Sequence, residues 1–382
     1  MAVPYAKLPG WVDYGVIPLV NLVVAFFVAG LVVMAVGENP LRAAGLLVQG
    51  AFGTGDGIGY TLYYATNFIF TGLCVAVAFH CGLFNIGGEG QAYVGGLGVA
   101  VACLTFDSVF PWWINLPLAT LCAALIGGLW ALLPAYLQAK RGSHIVITTI
   151  MFNFIAASLM VWVLVDVLKP VGSMAPETRN FVEGAHLPKL GWMIELFGYR
   201  VRNAPFNITF LLALISAFGV WVLIWRTRLG YEIRTMGHSP KAARYAGINE
   251  TRIIVITMMI SGALAGMMAL NPVMGAQERL QLDFVTGAGF VGIAVALMGR
   301  SHPVGIIPAA ILFGMLYQGG AEIAFEMPNI SRDMIVIIQG LVILFAGALE
   351  HMLRPTIQQA YFVLSGGGKT SGGGAATPAP GE

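Results

Sequence analysis

The chain contains 382 residues, of which 58% are hydrophobic and only 10% are charged. Soluble domains carry about 25% charged residues, so this composition excludes a soluble enzyme and a disordered chain. The net charge of +2 is too small for a nucleic-acid-binding surface, and no nucleic-acid partner is expected. Apolar runs of about 20 residues recur along the chain, and each is long enough to cross a bilayer. The composition therefore predicts an all-α polytopic membrane protein.

Ten apolar runs are candidate transmembrane helices. They cover residues 17–36, 60–80, 86–105, 112–134, 145–166, 206–225, 253–274, 284–299, 303–320 and 333–352. The third and eighth runs are rich in glycine, and we expect broken or re-entrant segments there. Such backbone is tolerated at membrane depth only where protein or water surrounds it.

Basic residues concentrate in the connections that this count places in the cytoplasm, above all in residues 226–252. An even number of spans then places both termini on that side of the membrane. The predicted organisation is a cytoplasmic N-terminus (1–16), a transmembrane domain (17–352) and a flexible cytoplasmic tail (353–382). The tail is predicted from its Gly, Ala and Pro content.

The longest connection, residues 167–205, mixes positive and negative charges. Because long loops obey the charge rule poorly, its external (periplasmic) placement depends on counting spans. Two interpretations are open. The connection is either a structured cap that could contact a partner or an ordinary surface loop.

Several sequence features imitate chemical sites. The four cysteines all lie within apolar runs, which favours small buried side chains over a metal site. Residues 287–292 match G-x-G-x-x-G, but they lie in an apolar run, so close helix packing is favoured there and at residues 262–266. The Gly-Lys-Thr at 368–370 lacks the first glycine of a phosphate-binding loop, since Val363 occupies that position. We therefore predict no metal, cofactor or catalytic residue in this chain.

A polar segment, FNIGGEGQ, begins the third run. A carboxylate just inside a membrane span needs a partner or water, so Glu89 has two interpretations. It stabilises the end of a broken helix for which Asn85 is a plausible N-cap, or it lines a polar solute pathway together with Asn85 and Gln91. Both can hold together. Thr149 and Asn153 share a helix face, and either hydrogen bonding between helices or pathway lining explains them.

The basic segment 226–252 contains signals for a short helix outside the bilayer. Ser239 can cap it, Pro240 suits its first position and Gly247 can end it. Its small side chains form a smooth surface that another protein's groove could accept: Ala242, Ala243 and Ala246. The alternative is a loop helix that is stabilised only by membrane lipids.

Three stretches together resemble the permease subunits of bacterial ABC importers for nucleosides and simple sugars, a family that also contains ribose and branched-chain amino acid permeases. They are FNIGGEGQ (84–91), HIVITTIMFNFIA (144–156) and RLGYEIRTMGHSPKAARYAGIN (228–249), and they occur in the family's order. The likeness covers most of residues 60–350. Departures from the pattern leave the solute open: His144 replaces an acidic residue, Phe152 and Phe154 replace Leu and Tyr, and His238-Ser239 replaces x-Asn.

The resemblance implies a ten-helix permease of the bacterial inner membrane that pairs with a second permease subunit, identical or different. It implies a cytoplasmic ATPase that drives alternating access, and an external substrate-binding lipoprotein that delivers the solute. The positions that match the family's ATPase-coupling pattern are Arg234, Gly237, Ser239, Ala242, Ala243 and Gly247.

Two other classes of function are weighed against this one. An autonomous secondary transporter or channel would carry the solute without ATP, but the spans lack buried charged pairs beyond Glu89. A membrane-embedded enzyme could assemble a site from distant residues, although the sequence contains no H-E-x-x-H motif and no paired carboxylates within a span.

Overall fold

The computed structural model describes residues 9, 12, 16–331, 334–342, 344, 358 and 361. Within them the secondary structure is helical, and two isolated antiparallel bridges are the β-pairing present. The chain divides into two compact units. One is Val33–Val336, which holds every site discussed below, and the other comprises Met1–Val32 and Ile337–Glu382. The predicted N-terminus 1–16 and tail 353–382 lie almost entirely outside the described residues.

The helices have these bounds: α1 Ile17–Ala35, α2 Pro40–Phe52, α3 Gly55–His80, α4 Gly88–Phe106, α5 Trp112–Arg141, α6 Ile145–Trp162, α7 Gly191–Glu195, α8 Thr209–Arg226, α9 Arg228–His238, α10 Pro240–Tyr245, α11 Glu250–Met267, α12 Ala288–Met298 and α13 Pro303–Glu326. A π-helical turn, Val163–Leu168, extends α6, and a second one, Leu270–Ala276, follows α11. Residues 334–342 are also helical.

Six described helical segments are long and apolar enough to cross a membrane, or seven if α1 and α2 together form one span. The six are Gly55–His80, Trp112–Arg141, Ile145–Leu168, Thr209–Arg226, Glu250–Ala276 and Pro303–Glu326. The all-helical, multi-pass class is thereby confirmed. Described helices also lie at the other predicted positions, although much of 333–352 is outside the described residues. These helices are not among the six spans, so the ten-span count stays a prediction.

The two glycine-rich runs differ from each other. In the third run, α4 is an unbroken helix of 19 residues, and the irregular backbone lies just before it, at residues 81–87. In the eighth run, α12 has only 11 residues and follows a non-helical stretch, residues 277–287. A break inside the third span was therefore the wrong prediction, whereas the interrupted eighth span agrees with the structure.

The sequence analysis missed helix α2, which lies in a stretch treated as a short connection. The side-chain oxygen of Asn39 accepts the Leu41 N–H at 2.9 Å, and Pro40 occupies the first helical position. Asn followed by Pro is a recognised signal for the start of a helix. The local signal was present, but the run is too short to be selected as a membrane span.

Helix α4 packs against α5, α6, α11 and α12. Glycines allow the closest approaches in this part of the core. Gly95 faces Gly266, and Gly127 faces Gly262, so closely that a Cβ on Gly95 or Gly127 would overlap the partner's backbone. Small residues let neighbouring helices approach in this way. The packing interpretation of residues 262–266 is thus confirmed.

The long connection 167–205 is anchored at both of its ends. Near its start, the Arg179 guanidinium donates to both carboxylate oxygens of Asp107 at 2.7 and 3.0 Å. Near its end, Asp56 Oδ1 accepts N–H groups from Arg202, Asn203 and Ala204 at 2.9–3.1 Å. Leu190 and Ile194, which lie between these points, form a small hydrophobic core with Phe206, just past the end of the connection. These contacts favour a structured cap over an ordinary loop.

Candidate functional site

The connection between α3 and α4 lies at the centre of the candidate site. Helix α3 ends at His80, the chain turns at Gly82 with a φ of +72°, and residues 83–86 are extended before α4 begins at Gly88. A positive φ is readily available only to glycine. We call residues 81–87 the α3–α4 connector. The N–H groups of its first three residues donate to carbonyls in the last turn of α3, and further along the connector side chains supply partners for the backbone.

Asn85 is the hub of this connector and is fully buried. Its amide nitrogen donates to Gln91 Oε1 at 2.9 Å and to Ser261 Oγ at 2.8 Å, and its oxygen accepts the Gly87 N–H at 2.9 Å. Ser261 in turn donates to the Cys74 carbonyl at 2.7 Å. Asn85 therefore ties the connector to α4, α11 and α3. It is not the N-cap of α4, as the sequence suggested, because Gly87 occupies that position.

Two side chains of α6 face the same connector. Asn153 accepts the Gly90 N–H at 2.9 Å and donates to the Ile86 carbonyl at 3.0 Å. Thr149 donates to the Ile145 carbonyl of its own helix at 2.8 Å, and a Cβ on Gly87 would lie 3.1 Å from the Thr149 Cβ. The polar face of α6 therefore packs against the start of α4, and Asn153 binds its backbone.

Glu89 bonds to a helix that is distant in sequence. Its two carboxylate oxygens accept the Gly287 N–H at 2.9 Å and the Gly289 N–H at 2.8 Å, both at the beginning of α12. A helix N-terminus carries unpaired N–H groups and partial positive charge, so it favours a carboxylate. Glu89 thus stabilises a helix end. It lies in the first turn of α4, but the helix start to which its carboxylate bonds is that of α12.

The structure brings all five predicted pathway residues together around the start of α4. Their exposed fractions are 0% for Asn85 and Thr149, 1% for Gln91, and 8% for Glu89 and Asn153. Each has a partner within the protein, so in this conformation the group can hold backbone in place. Contact of these side chains with a solute stays a prediction.

A second buried polar network was not anticipated. Asn271, in the π-helical turn after α11, accepts from Asn207 Nδ2 at 2.8 Å and Thr209 Oγ1 at 2.9 Å, and it donates to Asn67 Oδ1 at 2.8 Å. The signal that could have found it is the presence of asparagines inside apolar runs. Which partners they meet depends on residues some 60–200 positions apart.

A polar pair at the surface was also missed. Tyr93 donates its hydroxyl proton to Asp283 Oδ1 at 2.9 Å, and its ring contacts Phe284 edge-on at 5.5 Å. Asp283 and Thr286 are both exposed and have positive φ values of 58° and 49°. Such backbone is uncommon for residues other than glycine. No local spacing indicates the pair, because its members lie 190 positions apart.

The predicted cytoplasmic helix is present as α10. Ser239 Oγ accepts the Ala242 N–H at 3.3 Å, Pro240 is the first helical residue, and Gly247 has a φ of +74° just past the end. These capping predictions are confirmed. Helix α9 precedes α10 directly, and Thr227 Oγ1 caps it by accepting the Gly230 N–H at 3.0 Å.

The structure corrects one part of the predicted docking surface. Ala242 and Gly247 are exposed and Arg234, Gly237 and Ser239 are half-buried, but Ala243 is fully buried. On so short a helix one face must pack against the chain, and Ala243 lies on that face. Tyr245, which the sequence analysis did not select, is 95% exposed. The accessible face of α10 therefore contains Ala242, Tyr245 and Ala246.

Among the described residues, no three His, Cys, Asp or Glu side chains are grouped so that they could hold a metal ion. Cys74, Cys81 and Cys103 are buried free thiols, and Cys122 is half-buried. Cys74 Sγ lies 3.2 Å from Ser261 Oγ, beside the Asn85 hub.

Outside the spans, the Asp107 carboxylate is held by several partners at once. Burial acts to raise the pKa of its carboxyl, but the hydrogen bonds and charge of Arg179 and the N–H of Val182 outweigh burial and hold the pKa below its usual range. The Asp107 side chain is fully buried, whereas Arg179 is 44% exposed. This pair fixes the start of the structured cap.

The comparison with protein families decides what kind of protein this geometry serves. Residues 57–347 match the family described as "Branched-chain amino acid transport system / permease component". The chain belongs to this family. It is a membrane-spanning permease subunit of an ABC importer, and an autonomous transporter or channel is not favoured.

Several curated proteins are similar to this permease over most of their length. The glucose ABC transporter permease protein TsgB13 of Haloferax volcanii is 31% identical over 94% of this chain and 93% of its own length. The guanosine ABC transporter permease protein NupP of Bacillus subtilis is 33% identical over 87% of this chain and 92% of its own. The nucleoside ABC transporter permease protein NupB of Lactococcus lactis is 30% identical over 90% and 93%.

Proposed function

We propose that this permease imports a nucleoside or a simple sugar by alternating access, driven by ATP hydrolysis in a separate subunit. The solute class is supported by its relatives, which are named as permeases for glucose, guanosine and nucleosides. The cytoplasmic ATPase docks on α9 and α10. The single observation that supports this docking is the capped helix α10, which presents Ala242, Tyr245 and Ala246 to its surroundings.

The remaining parts of the assembly follow from the same proposal. The permease crosses the bacterial inner membrane ten times, with both termini in the cytoplasm and the basic segment 226–252 on that side. It pairs with a second permease subunit. An external binding lipoprotein delivers the solute to the side that carries the structured cap, residues 167–205, and no cofactor is bound by the permease itself.

The docking helix is tested by Ala242→Glu, which places a charged side chain on the exposed face of α10. The permease is co-expressed with its ATPase, second permease and lipoprotein, and ATPase association is measured by co-purification. We expect association and uptake of labelled guanosine or glucose to be lost while the permease still reaches the membrane. Retained association would contradict docking on α10.

The matched control is Ala175→Glu, which makes the same change at an exposed alanine in the 167–205 connection. It should leave ATPase association unchanged. Reconstitution of the permease alone provides a second test. Uphill transport of the solute by the isolated chain, without ATP, would contradict the dependence on a partner.

A further inference from the structure

A group of contacts that the proposed function does not use surrounds His80, the last residue of α3. His80 Nε2 lies 3.0 Å from the Ser301 carbonyl oxygen, between α12 and α13. Because a carbonyl only accepts, Nε2 carries the hydrogen and donates it. The Trp225 ring packs between His80 and His302, with centroid distances of 5.1 and 4.7 Å. We call these four residues, with Gly237, the His80 junction.

Gly237, in the last turn of α9, rests on the backbone of this junction. A Cβ at Gly237 would overlap the His80 carbonyl oxygen and lie 3.0 Å from the Gly82 nitrogen, so only glycine fits. Trp225 stands just before α9 and touches the same histidine. Trp225 belongs to the last turn of α8, so His80 contacts α9 through Gly237 and α8 through Trp225.

The junction is also linked to both ends of α12. The turn after α12 accepts the hydrogen bond from His80, and the first turn of α12 is held by Glu89. His80 directly precedes the α3–α4 connector, and Glu89 is the second residue after it. Along its length, α12 packs on α3, where Gly292 lies against Thr71 so closely that a Cβ would overlap it. The connector and α12 are thus joined at both ends.

We propose that Gly237 is the point at which movement of α9 passes to the His80 junction and from there to α12 and the α3–α4 connector. Packed cores and hydrogen-bonded segments shift as units and do not deform gradually. A displacement of α9 therefore moves the His80 backbone, and the connector carries the Asn85 hub with it. This proposal depends on the proposed function, because it assumes that an ATPase moves α9.

The first test is Gly237→Ala in the complete reconstituted importer. The added methyl group separates α9 from the His80 carbonyl, so we expect solute moved per ATP hydrolysed to fall about fivefold or more. ATPase association should be retained. The matched control is Gly219→Ala in α8, where a Cβ meets nothing within 4 Å, and it should leave the ratio unchanged.

The second test separates transmission from simple stability. His80→Leu removes the donor to Ser301, whereas His80→Gln can still present an amide N–H there. We expect His80→Leu to hydrolyse ATP with little uptake, and His80→Gln to restore much of the ratio. A purely structural role would reduce the amount of assembled importer without changing the ratio of uptake to hydrolysis.

The outcomes distinguish this inference from the docking proposal. One outcome is that Ala242→Glu loses ATPase association, while Gly237→Ala and His80→Leu transport as much solute per ATP hydrolysed as wild type. That outcome would overturn transmission through the junction and leave the docking proposal intact. Loss of association in Gly237→Ala would also overturn it, because Gly237 would then belong to the docking surface. If Gly237→Ala does not accumulate, the two His80 variants decide the question.

Discussion

At the residue scale, Glu89 connects two helix starts with one side chain. It lies in the first turn of α4, and its oxygens accept N–H groups from the first turn of α12. The partial positive charge at a helix N-terminus compensates the carboxylate, which explains how it is tolerated in a buried position. The carboxylate therefore has a structural role in this conformation whether or not it also meets the solute.

Replacement of Glu89 tests that role. In Glu89→Gln, the amide NH2 group faces one of the two N–H groups and cannot accept its hydrogen bond. We expect a loss of about 1–3 kcal/mol of stability, the typical cost of leaving a buried polar group unpaired. The measurement is the thermal midpoint of the purified permease, together with its abundance in the membrane.

The control for this variant is Glu195→Gln, at an exposed glutamate of α7, which should leave the midpoint unchanged. Gly289→Ala should resemble Glu89→Gln, because a Cβ there would overlap the Glu89 backbone. An unchanged midpoint with altered uptake in Glu89→Gln would instead favour the solute-pathway interpretation.

Residue-scale predictions from sequence were limited by contacts between distant positions. The polarity of Glu89 and its placement between glycines indicated a role at the start of its own helix, α4, whereas its oxygens bond to the start of α12. The sequence could not indicate which helix end, because Gly287 lies 198 positions away. The burial of Ala243 has the same origin, since the face of α10 that packs inward depends on the rest of the chain.

At the scale of elements, local signals predicted local structure well. Ser239, Pro240 and Gly247 defined the bounds of α10, because capping involves residues within one turn of each other. The positions of the long apolar helices followed from hydropathy for the same reason. In contrast, the irregular connector and the π-helical turn with Asn271 depend on partners in other helices, and only their general regions were indicated.

The structured cap provides a prediction about pH. The Asp107 carboxylate contributes stability that is present above the ordinary aspartate pKa of about 4. This contribution is lost as the pH falls through the lower pKa of the folded state. Asp107→Asn should remove about 1.5–3 kcal/mol at neutral pH, the range for hydrogen bonds to charged groups.

The measurement is the thermal midpoint of wild type and Asp107→Asn from about pH 6 to about pH 3, the range in which native carboxylates become protonated. The difference between the two thermal midpoints should decrease as the pH falls, because wild type loses the stabilising contribution that the variant already lacks. Parallel curves would contradict a stabilising role for the Asp107 and Arg179 pair.

At the scale of the whole molecule, the basic segment 226–252 and the cap 167–205 are separated by a single span, α8. We therefore expect them to lie on opposite sides of the membrane, with 226–252 in the cytoplasm as the positive-inside rule predicts. Six to seven candidate spans do not by themselves fix the topology. Labelling of introduced cysteines from each side of the membrane determines the topology directly.

Cysteines introduced one at a time at Met174, Tyr245 and Thr370 test the orientation of the chain in the membrane. Met174 is 100% exposed and Tyr245 is 95% exposed, whereas Thr370 lies outside the described residues. We expect a membrane-impermeant maleimide to label Met174→Cys only from outside, and Tyr245→Cys and Thr370→Cys only from inside. The wild-type chain, with its native cysteines, gives the background. Labelling of Thr370→Cys from outside would contradict the ten-span topology.

The short length of α12 has a consequence for how the permease exists in lipid. Its 11 residues rise about 16 Å, roughly half of a hydrocarbon layer about 30 Å thick. The stretch before it, residues 277–287, is non-helical and leaves Asp283 and Thr286 uncovered in the single chain. Acyl chains offer no partners to such backbone or to a carboxylate. We therefore expect that flank to face another polypeptide or water, neither of which the hydrocarbon of a bilayer supplies.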